Sequence, residues 1–156
     1  MDTAQTDIAT LNGLIKTTID SVDGYREAAE DSHNSKFQSM FIARANEREQ
    51  VVQKLQQHVT QLGGTAQDSG SVAAGAHRVF MNLRDAVTGR DDDAIIAEVE
   101  RGEDFIKEKF ESAISDNDLG ADCRSVIVQC YESVRSGHDQ MSDLKHAMQA
   151  NAPSAM

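Results

Sequence analysis

The chain has very little of what interrupts or cross-links a fold. Proline occurs once, at Pro153, so no proline breaks a helix anywhere before the C-terminal tail. One proline and ten glycines in 156 residues are too few for a turn-rich β protein or a low-complexity chain. The two cysteines, Cys123 and Cys130, are seven positions apart. On one helix that spacing is about 10 Å of rise, beyond the reach of a disulfide. Two thiols with no disulfide framework point to a reducing compartment. The first residues, Met1 to Asp7, have neither a basic region nor an apolar core, which argues against a signal peptide. No apolar run approaches the roughly 20 residues that span a bilayer. A bacterial cytoplasm is the expected setting. Basic residues are also scarce, 15 against 26 acidic ones, giving a net charge of −11. Polyphosphate would be repelled at long range, so neither nucleic acid nor an anionic membrane is an expected partner.

The sequence carries strong helical periodicity instead. Five helical segments are predicted. The first runs from Asp7 to Asp31, with Ile8, Leu11, Ile15, Thr18 or Ile19, Val22, Tyr25 and Ala29 in steps of three and four. Ser32-His33-Asn34-Ser35 supplies a turn with good N-cap residues. The second helix runs from Lys36 to Leu62, with Phe37, Phe41, Arg44, Glu47, Val51, Leu55, His58 and Leu62 along one face. Gly63-Gly64 ends it. A shorter helix is predicted from Val72 to Thr88, stopped by Gly89. Asp91, Asp92 and Asp93 then open a fourth helix to Ser115, with Ile96, Val99, Glu103, Ile106 and Phe110 facing inward. After an Asp116–Gly120 turn, the last helix runs from Ala121 to Ala150, through Ile127, Cys130, Val134, His138, Met141, Lys145 and Met148.

The plan is two long antiparallel hairpins joined by a crossover that carries a short helix. It predicts one all-α domain over 1–156, with its core at about 7–150. One long connection between two hairpins is the plan of ferritin-like four-helix bundles; a generic bundle fits as well.

Two helical stripes carry a carboxylate near mid-helix, Glu47 and Glu103. A buried carboxylate without a partner costs several kcal/mol, so each needs water, a counter-charge, a metal or another chain. Counting from the hairpin turns places Asp20, Glu47, Glu103 and Glu132 near one level of the bundle. Carboxylate-bridged di-iron bundles use such a layer, with a Glu from each of two helices and Glu-x-x-His from the other two. Here the corresponding runs are Glu47-Arg48-Glu49-Gln50 and Glu132-Ser133-Val134-Arg135, so Gln50 and Arg135 stand where histidines belong. A guanidinium from Arg135, Arg44 or Arg48 would neutralise Glu103 or Glu47 in place of a metal.

The remaining candidates read as structure. His138 and His77 are expected to be hydrogen-bonded core histidines, and His33, His58 and His146 turn or surface residues. Cys123 and Cys130 read as inert core thiols, and Met40, Met81, Met141 and Met148 as gap-fillers. No HExxH, GxGxxG, P-loop or nucleophile motif is present.

Several short stretches resemble an uncharacterised bacterial family of ferritin-like proteins. They are Leu11-Asn12-Gly13-Leu14-Ile15, Gly24-Tyr25-Arg26-Glu27-Ala28-Ala29-Glu30-Asp31, Leu62-Gly63-Gly64 and Ser69-Gly70-Ser71-Val72. Thr88-Gly89-Arg90-Asp91-Asp92, Glu100-Arg101-Gly102-Glu103-Asp104 and His138-Asp139 continue the match. The resemblance implies a ferritin-like four-helix fold with an added crossover helix, distantly related to ferritins and rubrerythrins. It implies no function.

The residues favour a non-catalytic, stress-associated bundle with a degenerate metal site and no cofactor. It would act as a homodimer or higher oligomer, or through a protein partner. The rival reading is a metalloprotein (a ferroxidase, an oxidase or a metal store) holding iron or another divalent metal at Asp20, Glu47, Glu103 and Glu132.

Overall fold

Each helix begins and ends where the local chemistry satisfies its free backbone groups. In the computed structural model, which describes residues 2–70 and 92–151, these are α1 (Thr3–Asp31), α2 (Ser35–Gln61), α3 (Asp92–Ile114) and α4 (Ala121–Asn151). The predicted helix from Val72 to Thr88, with His77 and Met81, lies outside the described residues. Asp2 caps α1 by accepting from the Gln5 amide at 2.8 Å. Asn34 caps α2 by accepting from the Lys36 and Phe37 amides. The end of α2 is closed by two backbone bonds, Gly63 N to the Thr60 carbonyl and Gly64 N to the Val59 carbonyl. That pattern needs a left-handed residue, which Gly63 supplies at φ +84°. At the end of α3, Arg124 donates to the free carbonyls of Ile114 and Asp116.

The helices pack as two hairpins, α1 with α2 and α3 with α4, and the hairpins meet along α1–α3 and α2–α4. The direction of each helix follows from contacts at the bundle ends. Ser32 Oγ and the His33 amide both donate to Asp92 at 3.3 Å, so α1 ends where α3 begins. At the opposite end Asp7, near the start of α1, accepts from the Gly120 amide at 2.9 Å, just before α4 begins. Every adjacent pair is therefore antiparallel, and the chain must return from one end of the bundle to the other between α2 and α3. Residues 65–70 begin that return alongside α1. The Thr65 carbonyl accepts from Asn12, the Gln67 amide donates to Asn12, and Gly70 lies against Asp20.

One continuous core runs through all four helices, built on Leu11, Ile15, Tyr25, Phe41, Leu55, Ile95, Ile106, Phe110, Ile127, Val134 and Met141. Tyr25, Phe41 and Phe37 stack as a tilted aromatic row. Burying each large apolar side chain contributes about 1.5–3 kcal/mol. On α2 the buried positions are Phe41, Ala45, Arg48, Val51, Val52, Leu55, His58 and Val59. Phe41, Val51, Leu55 and His58 lie on the predicted stripe, but its middle is corrected: Ala45 and Arg48 are buried where Arg44 and Glu47 were expected. His58, expected at the surface, is buried, with Nδ1 3.2 Å from Gln61 Oε1. No described helix is long and apolar enough to cross a membrane.

Candidate functional site

The centre of the bundle holds an ion pair sealed from water. Arg48 of α2 is 0% exposed and Glu103 of α3 is 1% exposed. Arg48 Nη1 donates to Glu103 Oε1 at 2.8 Å, and Nη2 donates to Oε2 at 2.5 Å. This two-pronged contact matches the planar guanidinium to the carboxylate. Nη1 also donates to Ser21 Oγ of α1 at 2.8 Å, and Nη2 reaches the Val134 carbonyl of α4 at 3.4 Å. All four helices therefore touch one guanidinium.

Two further residues shape the space around the pair. The Tyr25 ring lies under the guanidinium, with its centroid 5.6 Å from Cζ. Gly137 of α4 leaves the room it occupies: an added Cβ would strike Arg48 Nη2 and stand 2.9 Å from Glu103 Oε2. Burial works against a charged Arg48, but the adjacent Glu103 outweighs it and holds the guanidinium pKa above its usual value. Burial first, then the Glu103 charge, raises the Tyr25 phenol well above its usual value. Neither group changes charge in the physiological range.

The four carboxylates expected to share a level are not brought together. Glu103 is taken by Arg48. Glu47 is 40% exposed and accepts from Arg44 Nη1 at 3.0 Å and from the Ser133 hydroxyl. Asp20 is buried against Gly70. Glu132 lies on the surface beside Arg135, 3.6 Å away. Of the three arginines expected to neutralise the layer, Arg48 takes Glu103, Arg44 takes Glu47, and Arg135 faces outward. At the centre Ser21 stands in place of Asp20 and Arg48 in place of Glu47, one residue on, while on α4 Val134 and Gly137 stand there instead of Glu132; Glu103 is where it was expected.

A second polar cluster bridges α3 and α4 nearer the surface. His138 Nε2 is 2.6 Å from Asp104 Oδ1, and Nδ1 is 3.2 Å from Asp139 Oδ1. Lys145 Nζ donates to Glu100 Oε2 at 3.0 Å. Burial alone would lower the His138 pKa, but hydrogen bonds to Asp139 and Asp104 outweigh it and raise it. His138 is hydrogen-bonded, as the sequence predicts, but it lies at the edge of the core, with 16% of its side chain exposed.

The thiols also follow expectation. Cys123 and Cys130 are free and buried. Burial pushes their pKa values up to about 12 and about 11.

Sequence reasoning did not single out Ser21 or Gly137. Ser21 offers no signal, being one short polar residue on an apolar face. Gly137 does offer one: a glycine inside a helix lowers helical stability, so it implies close approach by a neighbour.

Fold and site together define a protein whose described residues form four helices organised around a buried arginine–glutamate pair. The chain belongs to the family described as domain of unknown function DUF2383, whose model matches residues 6–116. The match takes in most of α1 and all of α2 and α3, including Arg48 and Glu103, and carries no link to ferritins or rubrerythrins. No curated protein matches the chain.

Proposed function

We propose that this is a non-catalytic bundle of ferritin-like architecture that works by associating with itself or with a protein partner in the cytoplasm. One observation carries the reading: a fully buried guanidinium occupies the bundle centre and satisfies the carboxylate there. A di-metal layer needs carboxylates directed at the ions, and a guanidinium among them would repel those ions. The antiparallel neighbours and the single return of the chain between α2 and α3 support the ferritin-like assignment. The whole chain then forms one domain.

The test is anaerobic loading of the full chain with ferrous iron, followed by metal analysis and an oxidation assay. The expected result is no iron bound at the centre and no ferroxidase activity. Two irons per chain, lost on Glu103→Gln substitution, would establish a di-iron protein instead. Light scattering on the same preparation is expected to give a dimer or larger oligomer. A monodisperse monomer at high concentration would remove self-association and leave the protein partner.

A further inference from the structure

The cluster between α3 and α4 has the donor set of a metal site and lies apart from the central ion pair. Glu100 and Asp104 are one turn apart on α3, so their carboxylates project from the same face. His138 comes from the facing helix. One ligand atom from each of the three lies within 4.8 Å of the others. Small movements bring such a triad to the roughly 2.0–2.2 Å bonds that zinc makes with histidine and carboxylate.

The imidazole is also supported as metal-ligating histidines are. Its Nδ1 faces Asp139 at 3.2 Å, outside the triad, and this contact orients the ring with Nε2 towards Asp104. The 2.6 Å separation between His138 Nε2 and Asp104 Oδ1 requires a proton or a cation between two lone pairs. Glu100 in turn carries the Lys145 ammonium. In the absence of metal the cluster is thus satisfied by a proton and an ammonium, both of which a divalent ion can displace. Glu100 and His138 are largely shielded, at 12% and 16% exposed, while Asp104 at 57% leaves a path from solvent.

We propose that Glu100, Asp104 and His138 form a binding site for a divalent first-row transition ion of the zinc type, which clamps α3 to α4. One imidazole with two carboxylates suits these ions, whereas calcium takes six to eight oxygens. Three protein ligands leave a position for water. The net charge of −11 raises the local cation concentration. This proposal is independent of what fills the bundle centre, because it uses neither Glu103 nor Arg48.

The test is calorimetric titration of zinc chloride into chelator-stripped full-length protein. The expected result is saturable binding of a single zinc. His138→Ala and Glu100→Gln are each expected to weaken it at least tenfold, and Asp139→Asn about tenfold or more through the orientation of the ring. Lys145→Met is expected to tighten binding severalfold, because it removes the competing ammonium. Far-UV circular dichroism checks that each variant is folded; should His138→Ala unfold, the shape-conserving Glu100→Gln decides. Absence of saturable binding by the wild type would overturn the proposal. So would zinc binding unchanged in folded His138→Ala or in Glu100→Gln.

Discussion

Arg48, Glu103, Ser21 and Gly137 form one unit in which each residue fixes the others. Glycine to alanine inside a helix ordinarily stabilises by about 1 kcal/mol. At Gly137 the sign is expected to reverse. The added methyl would meet Arg48 Nη2, which donates to Glu103, while Nη1 of the same guanidinium is held by Glu103 and Ser21, so the group cannot swing away freely. Overpacking of this kind costs about 1–3 kcal/mol, so Gly137→Ala should lower the urea midpoint. A raised midpoint would mean that the pair has room to shift. Ser21→Ala removes one hydrogen bond to a charged donor and should cost about 1.5–3 kcal/mol in the same assay. No measurable loss would mean that Ser21 contributes nothing to holding the guanidinium.

At the scale of the helices, much was legible because periodicity and caps are local. The predicted starts and ends of the four described helices fall within a few residues of the observed ones, and Asn34 and Gly63 act as the cap and stop that their types suggest. The facing of α2 was not legible to one residue. Arg48 is charged, and only tertiary packing reveals that its long stem and two-pronged head can be wholly buried. Neighbouring Glu47 looked equally inward on a wider stripe, yet it sits half-exposed with Arg44. His58 was expected at the surface because polar residues usually lie there, yet its place on the helical stripe buries it, with Nδ1 3.2 Å from Gln61 Oε1.

Within α4 the buried thiols give a pH prediction. Their raised pKa values mean that the folded chain keeps protons the unfolded chain releases. The resulting stability is full below the unfolded thiol pKa, about 8.5. It is lost as pH rises through about 11 and about 12. A Cys123→Ala, Cys130→Ala variant should therefore lose less stability than the wild type across that alkaline window. Native alkylation at pH 8.5 should also be negligible until denaturant is added. Rapid modification of the folded protein would show that the thiols are accessible.

For the whole molecule, direction and order of the helices follow from contacts made at the two ends, Ser32–Asp92 and Asp7–Gly120. Neither contact was legible in advance, because each joins residues far apart in sequence. The expected carboxylate layer illustrates the same limit. Counting residues from the turns located the level of the site, but the direction of each side chain depends on helix rotation. A rotation of one residue, about 100°, places Arg48 rather than Glu47 beside Glu103.

A double-mutant cycle on that pair, by urea unfolding of the wild type, Arg48→Met, Glu103→Leu and the double variant, tests this most directly. Each single change strands a buried charge and should destabilise by about 3–5 kcal/mol, while the double variant should match the wild type or exceed it by about 1–4 kcal/mol. Single changes without effect, or losses that simply add in the double variant, would contradict a centre built on the mutual neutralisation of Arg48 and Glu103.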